Sequence, residues 1–315
     1  MLSIVVPAYN EEPNIVPLYR AIRAALPETL PIEVLFVDDG STDKTAEQVR
    51  NLRASEAPVR LVRFGRNFGN QAALLAGLEA ARGRAVITLD CDLQHPPDLL
   101  PRLLAAWQRG AKVVQMVRLR TEGTGLFKNL TSALFYRFVN LLSETRIQPG
   151  SDYQLLDRTV VDAVLQFKDR QPFLRGLVSW LGFPAESIEY VAPARRAGKS
   201  AFTLRRMLRL SVQAITGLSS KPLRYSFYLG LVTALLCLVY SAYALYALYA
   251  GKTVPGWTSL LVVITFLGAL QLVSMGIVGE YVARIYEQSR GMPRYVVVEQ
   301  DEALARAADR VEQSR

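Results

Sequence analysis

The sequence predicts an α/β domain, built on a largely parallel sheet with helices on both faces, followed by two apolar helices near the C-terminal end. Three observations predict it. Apolar, strand-like runs alternate with helical patterns from Leu2 to Val117. Each run ends in polar, acidic or glycine residues. Charge then disappears from two long stretches, Tyr225 to Gly251 and Thr253 to Gly279.

The elements follow in order. Leu2–Pro7 is a short apolar run, and Pro13–Leu26 has helical periodicity. Ile32–Asp38 reads as a buried strand ending in acid. Thr42–Arg53 follows as a helix, with Ser41 or Asp39 as its cap. Val59–Phe64 is a third strand and Asn70–Ala81 an alanine-rich helix. Ala85–Asp90 is a fourth strand, Pro97–Arg109 a helix and Ala111–Val117 a further strand. Continuous apolar strands separated by helices imply a parallel sheet buried on both sides. Ligands of such sheets bind at the carboxyl ends of the strands.

Composition narrows the class. At roughly 150 residues per domain, a chain of 315 residues makes about two units. It is 50% hydrophobic and 21% charged, which excludes intrinsic disorder. Cys91 and Cys237 are too few and too far apart for a disulfide framework or a multi-cysteine zinc site. A single histidine, His95, excludes two-histidine metal chemistry. The net charge of +9 calls for an anionic partner.

Both uncharged stretches exceed the about 20 residues that cross a hydrocarbon core. They predict transmembrane helices over 225–250 and 256–282, joined by a short link containing Pro255. Lys221 and Arg224 precede the pair, Arg284, Arg290 and Arg294 follow it, and only Lys252 lies between. The positive-inside rule therefore puts both termini in the cytoplasm and the chain in the cytoplasmic membrane. Residues 203–224 form a basic amphipathic segment suited to an anionic lipid surface. The segment 123–143, with Leu126, Phe127, Leu130, Leu134 and Phe138, reads as a second interfacial helix. The chain carries no recognisable nucleic-acid motif, so lipid or phosphorylated substrate is the expected anion.

The strand ends hold the chemistry. They carry Pro7-Ala8-Tyr9-Asn10-Glu11, Asp38-Asp39-Gly40-Ser41, Gly65-Arg66-Asn67-Phe68-Gly69 and Asp90-Cys91-Asp92-Leu93-Gln94. Neither Gly-x-Gly-x-x-Gly nor a Walker A loop is present, which excludes a dinucleotide dehydrogenase and a P-loop enzyme. Asp90-x-Asp92 places two carboxylates where a strand ends, a pattern that suits a divalent cation shared with substrate phosphate. Gln94 adds an oxygen. His95, followed by Pro96 and Pro97, reads as a loop or cap residue rather than a ligand.

Three of these stretches resemble the signatures of family 2 inverting glycosyltransferases: Val5–Glu12, Val37–Asp43 and Asp90–Pro97. Gly150–Arg158, Arg196-Ala197-Gly198-Lys199-Ser200 and the two-span tail are similar to the polyprenyl-phosphate branch, which includes bactoprenol glucosyltransferases and dolichol-phosphate mannose synthases. Ala201 departs from the lysine of many relatives. The resemblance implies a catalytic domain of the A-type glycosyltransferase fold over 1–202 and a cytoplasmic tail over 283–315. It implies a UDP-sugar donor, glucose favoured, and Mg²⁺ or Mn²⁺ as cofactor. Pro7, Tyr9, Glu11, Asp39 and Asp90 would surround the nucleotide, while Asp90, Asp92 and Gln94 would hold the metal or ribose.

The acceptor expected from this branch is undecaprenyl or a related polyprenyl phosphate. Its phosphate already carries about −1.5 to −2 charges near neutral pH, so positioning and charge neutralisation matter more than a strong base. Arg118, Lys128 and Ser132 are candidates for the acceptor phosphate, with Arg196 and Lys199. Asp152 is the third acid, as base or as orienter of the sugar. Arg175 would reach the diphosphate or the acceptor. Asp152, Asp92 and Arg175 form the catalytic set. Small residues of the second span, including Gly268, Gly276 and Gly279, fit helix packing in a homo-oligomer, for which the resemblance implies a tetramer. A non-catalytic membrane scaffold and a processive polysaccharide synthase are the alternative readings.

Overall fold

The computed structural model describes residues 1–56, 58–121, 152–167, 169, 173–192, 219–251 and 256–300. The 123–143 helix, most of 203–224, the 301–315 tail and the candidates Lys128, Ser132, Arg196 and Lys199 lie outside them.

Among the described residues the fold is built on one eight-stranded sheet. Its strands are β1 (Leu2–Ala8), β2 (Ile32–Asp38), β3 (Val59–Phe64), β4 (Ala85–Thr88), β5 (Val113–Thr121), β6 (Gln154–Asp157), β7 (Ala185–Ala192) and β8 (Val297–Gln300). The spatial order is β7-β5-β6-β4-β1-β2-β3-β8. The helices are α1 (Ile15–Ala25), α2 (Thr45–Ser55), α3 (Asn70–Ala80), α4 (Leu100–Gln108), α5 (Arg158–Leu165), α6 (Leu174–Trp180), α7 (Lys221–Tyr249) and α8 (Trp257–Ser289).

The first four strands are mutually parallel, as their apolar runs predict. The expected parallel order breaks on both sides. β6 enters antiparallel between β4 and β5, and β8 runs antiparallel along β3. Both strands have only four residues, too short for the sequence pattern to register. The start of α2 also differs. Ser41 does not cap it; Asp43 Oδ1 accepts from Thr45 N at 3.0 Å, while Ser41 Oγ accepts from Asn10 N at 2.9 Å.

Side-chain alternation splits the core into two layers. Ile4, Val6, Phe36, Ile87 and Leu155 face α1 and α4. Val5, Leu35, Val62, Val86 and Leu156 face α3, α5 and α6. Fully burying each such side chain contributes about 1.5–3 kcal/mol. Packing against α3 is close: a Cβ on Gly77 would stand 2.1 Å from a Val5 methyl.

α7 and α8 are different in kind. They are apolar over lengths sufficient to cross a membrane, and their large side chains face outward: Leu235 is 63% exposed and Phe266 64%. α8 runs beyond the expected 282 to Ser289. Its last turn and the residues that follow it bind back to the sheet and the elements packed on it. Arg284 Nη2 donates to Asp169 Oδ2 at 2.7 Å, and Arg294 donates to the Phe167 carbonyl and lies 3.5 Å from Glu79. Tyr295 stacks on Phe64 at 4.8 Å, and β8 then closes the β3 edge. Arg50 clamps β8 through a bidentate bond to Glu299 at 2.8 and 2.6 Å. Tyr281 Oη of α8 donates to the Ser219 carbonyl just before α7 at 2.7 Å, so the two ends of the hairpin lie side by side.

Candidate active site

The carboxyl ends of β1, β2 and β4 gather the acidic residues Glu11, Asp38, Asp39, Asp90 and Asp92. After β1, Asn10 adopts φ 56° and its side chain accepts from Thr42 N at 2.9 Å. Glu11 donates its backbone N–H to Thr45 Oγ1, and its carboxylate accepts from Asn14 Nδ2. Pro7 is buried opposite Val37, whereas Tyr9 is exposed.

After β2 the two acids separate in role. Asp38 is fully buried, accepts from Ser41 N at 3.0 Å and pairs with Arg63 Nε at 3.1 Å. Asp39 accepts from Phe68 N at 2.7 Å and Gly69 N at 2.9 Å, which ties the β2 and β3 loops together. Burial raises its carboxyl pKa against those two N–H groups. Gly40 is required here: its φ is +70°, and a Cβ would sit 2.3 Å from the Arg66 backbone.

Beyond β4, Asp90 and Asp92 lie in a turn whose Leu93 has φ 58°. Gln94 N donates to Asp92 Oδ1 at 3.1 Å. The backbone N–H of Asp90 donates to His95 Nδ1 at 3.0 Å, so the ring proton of the neutral histidine is on Nε2, 3.5 Å from Asp90 Oδ2. His95 is buried and stacks on Tyr153 at 5.0 Å. It therefore props the Asp-x-Asp turn from below, a structural role for the residue that the sequence places in a loop.

Asp152 approaches from the other direction, at the bend before β6. Its carbonyl accepts from Thr88 Oγ1 at the end of β4. Its carboxylate accepts from Arg175 Nη2 at 3.1 Å, Gln71 Nε2 at 3.1 Å and Asn70 Nδ2 at 3.4 Å. Arg175 Nε is buried and meets no acceptor among the described residues.

The charge balance at this edge is unfavourable by itself. Desolvation, then the charges of Asp152 and Asp92, push the Asp90 carboxyl up to about 7; Arg175 opposes this, and Glu11 adds to it. Yet the Asp90 side chain is 36% exposed, so solvent and ions reach it. Asp90, made costly to ionise by Asp152, Asp92 and Glu11 and open to solvent, suits a divalent cation. No group of three His, Cys, Asp or Glu side chains forms a metal cluster among the described residues. Two carboxylates completed by substrate phosphate oxygens are the arrangement Mg²⁺ accepts.

The structure thus brings Glu11, Asp90, Asp92, Asp152 and Arg175 into one electrostatic unit, with Asp39 on the adjoining loop. Arg118 is placed by its backbone on β5, opposite Tyr190 of β7. Sequence reasoning missed Gln71, Asn70 and Thr88. Thr88 ends β4, and Asn70 and Gln71 open α3, positions that many non-functional residues share.

A model of glycosyl transferase family 2 matches residues 3–169, more than half of the chain. The chain belongs to this family. A second model, the GtrB C-terminal hairpin, matches residues 221–285. An uncharacterised glycosyltransferase of Bacillus subtilis, YkcC, is 38% identical over 300 residues, covering 94% of this chain and 92% of its own. A protein of Shigella phage SfV named bactoprenol glucosyl transferase is also 38% identical, covering 94% and 97%. Among solved structures, glucosyl-3-phosphoglycerate synthase from Mycobacterium tuberculosis, in complex with Mn²⁺, UDP-glucose and phosphoglyceric acid, is 22% identical with a TM-score of 0.47. It covers 69% of this chain and 77% of that one. The mixed sheet flanked by helices, together with the family 2 match, agrees with the A-type glycosyltransferase architecture expected from the sequence, and the two apolar helices fit the matched hairpin.

Proposed function

We propose that the protein transfers a hexose, glucose favoured, from its UDP-sugar to the phosphate of undecaprenyl phosphate, with inversion at the sugar. The observation that carries this reading is the cluster of Asp90, Asp92, Asp152 and Arg175 at the open edge of a sheet stitched directly to an apolar hairpin. The name of the SfV phage relative, similar over nearly the whole chain, points to the same acceptor class.

In the proposed reaction, an oxygen of the lipid phosphate attacks the anomeric carbon. The bond from that carbon to the UDP oxygen breaks, and UDP leaves with the electron pair. The attacking oxygen is already ionised, so no proton must move first. This suits the surroundings of Asp152, whose oxygens are committed to Arg175, Gln71 and Asn70. We assign Asp152 to orientation of Arg175 and the sugar. Arg175 offers its unmet Nε–H and its positive charge where two phosphates must approach. Asp39, Tyr9, Pro7 and Glu11 are assigned to the nucleotide. Asp90 and Asp92, with Gln94, would hold Mg²⁺ or Mn²⁺. When bound, that ion offsets the charge of the departing diphosphate. Arg118, Lys128, Ser132, Arg196 and Lys199 are assigned to the acceptor phosphate.

Both hairpin ends lying on one side supports a double crossing, and the flanking cations support a cytoplasmic catalytic domain. Open space beside Gly268, Gly276 and Gly279 leaves room for a neighbouring helix in a homo-oligomer, which native mass spectrometry would count.

The test is a donor screen. Purified protein in detergent receives undecaprenyl phosphate, Mn²⁺ or Mg²⁺ and a panel of UDP- and GDP-sugars, and lipid-linked sugar is read by mass spectrometry. One product that disappears with EDTA is expected. Nucleotide binding without any lipid product overturns the acceptor, and no nucleotide binding favours a scaffold.

A further inference from the structure

One glutamine joins three separate parts of the site. Gln71 stands in the first turn of α3. Its Nε2 donates to Asp152 Oδ2 at 3.1 Å, and its Oε1 accepts from the Leu174 backbone N–H at 3.0 Å. Leu174 is the first residue of α6, and the next residue is Arg175, which binds the other oxygen of Asp152 at 3.1 Å.

The second bond matters because α6 lacks a local cap. Phe173 occupies its N-cap position and supplies no side-chain acceptor. The first amides of a helix need acceptors from elsewhere, and a missing cap destabilises the first turn. Gln71 provides one from a different helix. The contact therefore fixes where α6 begins, and with it the base of the Arg175 side chain. The Asp152–Arg175 pair is largely buried, with side chains 13% and 17% exposed, so little water is present to substitute for a lost donor.

We infer that Gln71 is a positioning residue: by holding Asp152 and the start of α6 together, it sets the geometry of the Asp152–Arg175 pair for transfer. The inference rests on the proposed function, in which that pair faces the reacting phosphates. It assigns Gln71 no contact with substrate. Both ends of the amide are used in opposite senses, one donating and one accepting. No other natural side chain of the same length offers that combination.

Two variants separate the bonds. Gln71→Glu keeps an acceptor for Leu174 N but replaces the donor to Asp152 with an anion. Gln71→Met keeps the length and loses both bonds. Transfer kinetics, UDP affinity, unfolding temperature and hydrogen exchange at the Leu174 amide are measured on the full chain in detergent. For Gln71→Glu we expect kcat to fall about a hundredfold, the cost of misplacing a catalytic pair, with KM for the UDP-sugar unchanged. Leu174 should stay protected in Gln71→Glu and exchange faster in Gln71→Met. Wild-type turnover by Gln71→Glu would overturn the inference. So would a parallel loss of kcat, UDP affinity and stability, which marks a merely structural residue. If the wild-type protein transfers nothing to lipid phosphate, the proposed function fails by itself. The exchange data then decide the contact: equal Leu174 exchange in all three proteins overturns it, and the expected pattern retains it.

Discussion

The two ends of the central sheet handle buried acid in opposite ways. At the amino ends of the strands, Glu33 is 5% exposed, and every contact to it is attractive. Arg60 pairs with it, Ser3 Oγ donates at 2.5 Å and Arg82 N at 2.6 Å. Gly83 N completes the set by donating to Ser3 Oγ at 2.7 Å. At the carboxyl ends, Asp152, Asp92 and Glu11 press negative charge on Asp90, and Arg175 opposes them. One end has its charges matched within the protein. The other gathers repelling charge around Asp90, and under the proposed function that is where a cation and a phosphorylated substrate would gain binding energy. The same residue type thus builds the fold at one end and waits for a ligand at the other.

Four predictions break or sharpen this contrast. The largest effect is at the matched end. Arg60→Ala leaves Glu33 buried and unpaired, which costs about 3–5 kcal/mol in denaturant unfolding, while kcat per folded molecule stays at the wild-type value. Next is Asp92→Asn at the other end. Transfer falls about a thousandfold in a labelled UDP-sugar assay, with little change in unfolding. Near-normal turnover would remove Asp92 from the metal site.

A pH effect is third. The Asp90 carboxyl, raised to about 7, must lose its proton before it can bind a cation. Mn²⁺ affinity, followed by titration calorimetry, should weaken as pH falls below 7, by up to about tenfold per unit. The smallest effect is on stability. An acid whose folded pKa is raised binds more protons folded than unfolded between its two pKa values. The metal-free fold therefore gains stability as pH falls from 8 toward 5. Asp90→Asn removes this slope and adds about 1 kcal/mol at pH 8, a figure reduced because the group is a third exposed. A flat wild-type profile would show that the charges are already offset.

Legibility in sequence follows the same division. Asp38, Asp39, Asp90 and Asp92 were readable because each sits at the end of a continuous apolar run, and the strand dictates where its last residues project. The hairpin was readable from two uncharged stretches. Gln71, Thr88 and the propping role of His95 were not, because their partners are distant in sequence or hidden in a turn, and an isolated glutamine carries no periodicity. β6 and β8 escaped for a different reason. Their direction is set by pairing with β4, β5 and β3, and four residues give too short a pattern to show it.

The return of the chain to β3 also fixes an order of assembly. Synthesis proceeds from the N-terminus, so β3 is complete long before β8 emerges. Both apolar helices are made in the interval. Until then the β3 edge has unpaired backbone groups, a template for wrong partners. Tyr295 and Glu299 can dock only after α8 has left the ribosome. Closing the sheet therefore reports that the hairpin has been made, and a nascent chain cut before Val297 should keep an open edge that a chaperone can recognise.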